Sequence, residues 1–96
     1  METIYKYLVP LHENELTIRM PRLSKVLCVQ IDEKDGNPYI WALVATNTEM
    51  TDHKFLLYGT GHEANPCIGK EYIGTFQVDK GAFVGHLFKI HHQTSI

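Results

Sequence analysis

The sequence has few of the residues on which several common protein classes depend. Its 96 residues include two cysteines and only two serines, which is too little cysteine for a disulfide-based scaffold. No apolar run approaches the roughly 18 residues that a membrane-spanning helix needs. Nine basic residues stand against eleven acidic ones and are scattered along the chain, whereas nucleic-acid binding normally shows a basic excess or stripe. We therefore expect a soluble domain with neither a membrane nor a nucleic acid as partner.

The remaining composition is that of an ordinary globular domain. Apolar residues make up 44% and charged residues 21% of the chain, which excludes disorder and low complexity. The length predicts one domain over residues 1–96, with 91–96 as a flexible tail. The N-terminus carries Glu2 and no apolar segment typical of a secretory signal. We therefore expect a cytoplasmic protein in which Cys28 and Cys67 are reduced thiols.

Short apolar segments separated by turn residues predict an all-β fold. No segment has the 3.6-residue periodicity of a helix, and without crossover helices the strands must pair antiparallel. The polar stretch 46–52 is not predicted to be a strand, and a short helix is the only other regular structure that it could form. The fold class is thus a small barrel or sandwich of about seven antiparallel strands with little or no helix. The predicted strands are Ile4–Val9, Leu16–Met20, Lys25–Ile31, Tyr39–Ala45, Lys54–Tyr58, Glu71–Val78 and Phe83–Ile90.

Two of the predicted strands, Tyr39–Ala45 and Phe83–Ile90, carry apolar residues on both faces. Either loops cover the outside of a strongly coiled barrel, or these faces form a subunit interface, which predicts a homo-oligomer and most simply a two-fold dimer. In the strand Lys25–Ile31, regular alternation places Leu27, Val29 and Ile31 on one face and Val26 with Cys28 on the other. Cys28 is accordingly predicted to be a core residue.

The stretch Gly59-Thr60-Gly61-His62 directly follows a strand and is the first candidate binding site. Two glycines allow backbone N–H groups to converge on an anion, Thr60 offers a hydroxyl, and His62 offers a switchable charge. The alternative is a tight strand exit that His62 merely caps. No Gly-Lys-Ser/Thr follows, so this stretch is not a nucleotide-binding P-loop.

Aromatic and basic residues extend this candidate site. A planar base would stack on an aromatic side chain, and the candidates, each of which is otherwise a core or half-core residue, are Trp41, Tyr39, Tyr58, Tyr72 and Phe88. A phosphate could be met by Arg19, Arg22 or Lys89. His86 shares a strand face with Val84, Phe88 and Ile90, where it is either a hydrogen-bonded core residue or a ligand contact. The predicted ligand-binding residues are Tyr58, Gly59, Thr60, Gly61, His62, Trp41, Arg19, Arg22 and His86.

Catalytic and metal-binding patterns do not survive inspection. The six histidines lack the partners at i+2 or i+4 that a local metal site needs, and His91 and His92 point in opposite directions on an extended chain. The triplet His92-Gln93-Thr94 matches half of a two-histidine phosphodiesterase motif, but no second copy exists. Neither serine lies in a nucleophile elbow. We therefore expect a binding protein rather than an enzyme, with no cofactor and no metal.

Four stretches together resemble a known family. They are Trp41–Val44 (WALV), Tyr58–His62 (YGTGH), Tyr72–Gln77 (YIGTFQ) and Gly85–Ile90 (GHLFKI). This combination is similar to a family of roughly 90-residue proteins of unknown function from bacteriophages and prophages, and the similarity runs from about Ile4 to Ile90. The resemblance implies a phage-type protein that acts in the cytoplasm of a bacterial host cell.

The resemblance and the candidate site together predict a function. Small non-enzymatic phage proteins often oppose host defence by binding a host protein or by sequestering a nucleotide-derived signal. Sequestration requires a pocket with hydrogen-bond donors, cations and aromatic faces, and the Gly59–His62 stretch fits that requirement. We expect a protein that sequesters a small anionic, nucleotide-like ligand; the alternative is an interaction module that docks a host or virion protein.

Overall fold

The computed structural model describes residues 1–62 and 70–91. These residues form seven antiparallel strands and no helix, which confirms the predicted all-β fold. The strands are β1 (Glu2–Leu8), β2 (Glu15–Pro21), β3 (Ser24–Ile31), β4 (Pro38–Ala45), β5 (Met50–Gly59), β6 (Lys70–Val78) and β7 (Phe83–Ile90).

The strands form two sheets that pack as a sandwich. The first sheet has the order β1-β4-β3 and the second the order β2-β5-β7-β6. The edge strands β3 and β6 approach each other without forming a ladder, so the barrel is not closed. Gly74 permits this approach, since a Cβ there would lie 2.8 Å from Cγ1 of Val29. The structure thus decides between the two predicted architectures in favour of the sandwich.

The core lies between the inner faces of the two sheets, because apolar residues alternate with polar ones along most strands. On β4 the buried positions are every second residue from Pro38 to Val44, and on β2 they are Leu16, Ile18 and Met20. Phe55 and Leu87 are fully buried at the centre of the second sheet. Each of these strands therefore has one face buried in the core, and its other face is available for a ligand or partner.

A β-bulge in β3 overturns the predicted faces of that strand. Val26 pairs with Ala42 and Cys28 with Trp41, so Leu27 is an extra residue. The bulge shifts the alternation by one residue. Val26 is therefore buried on the side of Val29, while Leu27 is exposed and Cys28 is only half-buried. The prediction of Cys28 as a core residue was wrong, although its thiol is free; Cys67 lies outside the described residues.

Strand β5 begins at Met50, four residues before the predicted start at Lys54. Asp52 faces outward, where its carboxylate accepts a hydrogen bond from Arg19 of β2 at 2.9 Å. Thr51 and His53 face inward, since they pair with Met20 and Ile18, which are buried. Residues 50–52 therefore belong to the strand and residues 46–49 form a turn before it, so the helical alternative for residues 46–52 is excluded.

The residues Asp35-Gly36 and Asp79-Lys80-Gly81 predict tight hairpin turns, and both turns are present. Between β3 and β4 the amide of Asp32 donates to the carbonyl of Asn37 at 2.8 Å. Between β6 and β7 the amide of Ala82 donates to the carbonyl of Asp79 at 3.0 Å. The central residues of this second turn, Lys80 and Gly81, have φ of 54° and 90°, as a type I′ turn requires.

Two further predictions concern the chain ends and the membrane. His91, the first residue of the predicted tail, hydrogen-bonds Glu71 at 2.6 Å, and residues 92–96 lie outside the described part of the chain. Asn65-Pro66 and Gly69 predict a loop over Glu63–Lys70; residues 63–69 also lie outside the described part, and Lys70 is the first residue of β6. Within the described residues there is no helix long and apolar enough to cross a membrane.

Candidate functional site

The candidate site lies on the outer face of the β2-β5-β7-β6 sheet, at the end of β5. Antiparallel pairing places Tyr58 opposite His86, and His86 opposite Thr75. Phe88 lies opposite Tyr72 in the next row. Because paired residues share one face of a sheet, side chains from three strands converge here.

Three aromatic rings form a continuous cluster at this point. The ring of Phe88 lies 5.8 Å from that of Tyr58 and 5.5 Å from that of Tyr72, in T-shaped and tilted arrangements. Such geometries are favourable because ring edges meet ring faces. Tyr72 is 56% exposed. This three-ring cluster, Tyr58, Phe88 and Tyr72, therefore offers aromatic surface to a ligand.

His86 is hydrogen-bonded at both ring nitrogens. Its Nε2 lies 2.7 Å from Oγ1 of Thr60, and its Nδ1 lies 2.9 Å from Oγ1 of Thr75. Oγ1 of Thr75 in turn lies 2.5 Å from the hydroxyl of Tyr72. Hydroxyl groups both donate and accept, so neutral His86 donates through one nitrogen and accepts through the other, and protonated His86 donates through both. The network accommodates either charge state.

The glycine-containing segment is a tight turn, in which the amide of His62 donates to the carbonyl of Gly59 at 3.0 Å. Gly61 has a φ of 85°, which is favourable for glycine alone. The amide of Thr60 donates to the carbonyl of Val84 at 3.1 Å. Two of the amides that were predicted to converge on an anion are therefore already bonded within the protein. Hydrogen bonds to a ligand must come mainly from side chains.

The turn and the three-ring cluster enclose an open pocket of about 300 Å³. It is lined by residues 59–62 together with Tyr58, Tyr72, His86 and Phe88. A cation lies beside it, since Nζ of Lys70 donates to the hydroxyl of Tyr58 at 3.2 Å and lies 5.7 Å from the centre of its ring. The pocket thus combines aromatic faces, hydroxyl groups and two histidines.

The structure brings together most of the predicted site residues, but three of them, Trp41, Arg19 and Arg22, lie elsewhere. Tyr58, the turn Gly59–His62 and His86 meet in this pocket. Trp41 lies on the other sheet. Both predicted arginines lie away from the pocket and are engaged in ion pairs: Arg19 with Asp52 at 2.9 Å, and Arg22 with Glu49.

The predicted ligand-binding residues omit Tyr72, Phe88 and Thr75, although Tyr72 and Phe88 are among the candidate aromatic side chains. Phe88 is two residues from His86 and so shares its face on a strand, which is the signal that could have added it to the site. The position of Tyr72 could not be predicted, because β6 contains a bulge between Tyr72 and Gly74 that breaks the alternation with Thr75.

A second exposed surface lies on the outer face of the β1-β4-β3 sheet. Its central residue, Trp41, pairs with Lys6 on one side and Cys28 on the other. Nζ of Lys6 lies 5.7 Å from the centre of the Trp41 ring and 2.7 Å from a carboxylate oxygen of Asp32, which raises the pKa of Lys6. The large exposed apolar residues of this face are Ile4, Leu8, Leu27 and Trp41.

Comparison with known proteins places the chain in a family. The model of a domain of unknown function, DUF7352, matches residues 1–95. The chain belongs to this family. Neither a curated protein nor a solved structure matches it. The resemblance implied a family of small proteins of unknown function, and the match confirms this. It covers both of the outer faces described above.

Metal binding has no candidate in the part of the chain that the structure describes. No group of three or more histidine, cysteine, aspartate or glutamate side chains lies close enough there to hold an ion. His92 and Cys67 lie outside the described residues. The pocket beside the three-ring cluster is therefore the site that we consider for function.

Proposed function

We propose that this DUF7352 domain is a non-enzymatic binding protein that holds a small anionic, nucleotide-like ligand against its three-ring cluster. The observation that carries the proposal is the position of His86. It is held by Thr60 and Thr75 at 2.7 and 2.9 Å beside exposed aromatic rings. Planar bases stack on such rings. Because both ring nitrogens of His86 are already bonded, the exposed side chain of His62 and the hydroxyl groups of Thr60 and Thr75 supply hydrogen bonds to the rest of the ligand.

The size and charge of the pocket narrow the ligand class. A volume of about 300 Å³ is at the lower end of ordinary ligand pockets, so it holds one base with its sugar and phosphate, and the second half of a dinucleotide-sized ligand would lie outside it. Among the described residues, its lining contains His62 and His86 but no lysine or arginine, and Lys70 lies at its edge. We therefore expect a ligand of low negative charge.

The resemblance to phage and prophage proteins suggests the biological setting. In the cytoplasm of an infected bacterium, a small protein without catalytic groups removes a signal by binding it in excess. The proposed role is therefore sequestration of a nucleotide-derived signal of host defence.

Ligand-dependent thermal stabilisation tests this proposal. We expect at least one compound among cyclic nucleotides, cyclic dinucleotides and ADP-ribose derivatives to raise Tm. Ligand at 100 times its Kd adds about 2.7 kcal/mol, which corresponds to roughly 10–20 °C for a domain of this size. The variant Tyr72→Ala removes one ring of the cluster and should bind about 5- to 150-fold more weakly, the range for loss of one stacking contact.

Tyr5→Ala is the matched control for Tyr72→Ala. Tyr5 is 48% exposed, close to the 56% of Tyr72, but it lies on the other sheet, so its loss should leave affinity unchanged. A flat response of the native protein to the whole panel at millimolar concentrations contradicts the proposal. Equal loss of affinity in both variants contradicts the assignment of the site.

Gly59→Ala tests the contribution of His62. A Cβ on Gly59 would lie 2.7 Å from two atoms of the His62 ring, so this exposed ring must move away. We expect Gly59→Ala and His62→Ala to weaken ligand binding alike, by about tenfold, the equivalent of one charge-assisted hydrogen bond. Affinity is measured by calorimetry for each variant and normalised to its folded fraction.

Gly61→Ala separates a local conformational effect from the effect at His62. A Cβ on Gly61 meets no atom within 4 Å, but its φ of 85° is unfavourable for alanine. The expected cost is about 1 kcal/mol of stability, with a smaller change in affinity than in Gly59→Ala. Unchanged affinity in Gly59→Ala and His62→Ala would show that the turn is only a strand exit.

The outer face of the first sheet supports a second proposal, which concerns assembly. Ile4, Leu8, Leu27 and Trp41 are between 36% and 54% exposed, which leaves roughly 400 Å² of apolar surface on one face, at the size where patches mark interaction sites. A two-fold dimer buries this patch on both copies. Together with the polar residues that surround the patch, the buried area approaches the roughly 1,200 Å² that stable association requires.

We propose that a second copy of this chain covers the face, because its charges are self-complementary. The ammonium group of Lys6 is already neutralised by Asp32. A two-fold axis parallel to the strands lays β1 over β3 of the second copy and brings Glu2 near Lys25 of that copy, since the two residues occupy neighbouring rows of the sheet. A host or virion protein docked on the same face is the outcome to expect if the purified protein is a monomer.

A further inference from the structure

A second cavity, of about 370 Å³, lies at the end of the sandwich where β2 passes into β3. Arg22 and Ser24 contribute to it from this connection, His53 from β5, and Lys89 and His91 from the end of β7. It is distinct from the pocket of the proposed function, because His53 and Lys89 point to the inner face of the sheet that carries the three-ring cluster on its outer face.

Lys89 is a partly buried cation in this cavity. Its Nζ lies 5.3 Å from the centre of the Phe55 ring, and within residues 1–62 and 70–91 no carboxylate oxygen lies within the 4.0 Å of an ion pair with it. Burial lowers the pKa of Lys89, and the nearby Glu71 raises it in part. A partly desolvated ammonium group without a counter-ion is unfavourable, so this position favours an anion.

The acidic groups around the cavity have other partners. Glu71, opposite Lys89 in the sheet, lies 2.6 Å from Nε2 of His91. Asp52 pairs with Arg19 at 2.9 Å, and Glu49 pairs with Arg22. These contacts engage the carboxylates, while Arg22 also lines the cavity.

His53 adds no charge of its own. Its Nε2 lies 3.1 Å from the carbonyl oxygen of Pro21, which only accepts hydrogen bonds, so Nε2 carries the proton and donates. Burial and the charge of Lys89 lower the pKa of His53. Lys54 also lines the cavity, but its Nζ donates to Oγ1 of Thr17 at 2.9 Å. Lys89 therefore remains the principal positive charge inside the cavity.

We propose that this cavity is a binding site for a small oxyanion, with Lys89 as the principal contact and Arg22 as the second cation. The ligand is a small molecule with a phosphate or carboxylate group, since the cavity of about 370 Å³ has room for either group. This site is independent of the three-ring cluster and of the ligand proposed there.

Titration of the isotope-labelled protein with inorganic phosphate tests this inference, and acetate at equal ionic strength tests for a carboxylate ligand. We expect one of the two anions to shift the backbone amide signals of Ser24, His53 and Ile90, which line the cavity, with saturation. Lys89→Gln should weaken this binding at least tenfold, because it removes a charge-assisted hydrogen bond.

Two controls keep the result specific. Lys34→Gln removes a cation from the exposed β3–β4 turn and should bind the anion as the native protein does. Tyr72→Ala should also leave anion binding unchanged, which separates failure of this inference from failure of the proposed function. Absence of saturable shifts for both anions in the native protein overturns the inference, as does unchanged affinity in Lys89→Gln.

Discussion

Replacement of Phe55 by alanine is expected to lower the free energy of unfolding by about 3–5 kcal/mol, the range for removal of a buried phenyl group. Phe55 is fully buried between the sheets. It pairs with Leu16 on β2 and with Lys89 on β7, so its ring joins three strands of the second sheet. A domain of fewer than 100 residues has a thin core, and a loss of this size removes a large part of a typical stability of 5–15 kcal/mol.

Phe88→Ala is the matched control for Phe55→Ala. Phe88 lies on the same sheet but on its outer face, where it is only half-buried. We expect Phe88→Ala to lose less than half as much stability and to lose ligand affinity instead, because its ring is the centre of the three-ring cluster. Urea denaturation followed by tryptophan fluorescence measures both variants. Equal destabilisation would show that the outer face of this sheet is covered in the native protein.

Trp41→Glu is expected to convert a dimer of this chain into an 11.0 kDa monomer. The two-fold axis places both copies of the introduced carboxylate in one apolar interface, where like charges without water cost several kcal/mol. At tens of micromolar protein, sedimentation velocity should show a dimer for the native chain and a monomer for the variant. The monomer should remain folded, since the new carboxylate lies beside Lys6.

Met50→Glu serves as the control for this experiment. Met50 is 48% exposed but pairs with Pro21 at the edge of the second sheet, away from the proposed interface. This variant should sediment as the native protein does. A native protein that sediments as a monomer removes the proposed homodimer and leaves the face available to a different protein.

The two sheets thus have different proposed tasks. The outer face of the first is apolar around Trp41 and suits a flat protein partner, whereas the outer face of the second presents a pocket that suits a small ligand. A dimer formed through the first sheet leaves both three-ring clusters exposed. Ligand binding and assembly are then separable, and we expect Trp41→Glu to bind the nucleotide-like ligand as the native protein does.

Much of the fold could be predicted from local sequence patterns, namely the alternation of apolar and polar residues and the residues of tight turns. Strands such as Leu16–Met20 alternate apolar and polar residues, and this period of two predicts one buried face. The residues Asp35-Gly36 and Asp79-Lys80-Gly81 predict the two hairpins, because few other residues adopt the backbone conformations of tight turns. His86 and Phe88 are two residues apart on one strand and therefore share a face, so half of the site could be predicted without a structure.

Only the tertiary structure decided how these strands pair, and the pairing determined the site. The bulge in β3 moved Cys28 out of the core, and the bulge in β6 placed Tyr72 beside Phe88; neither bulge has a local pattern in the sequence. The separation of Trp41 from the three-ring cluster depends on which strands share a sheet, a long-range choice that no spacing of residues encodes. Sequence alone therefore determined an all-β domain with alternating faces, while hydrogen bonding between distant strands determined which side chains meet, because a one-residue shift in register exchanges the two faces of a strand.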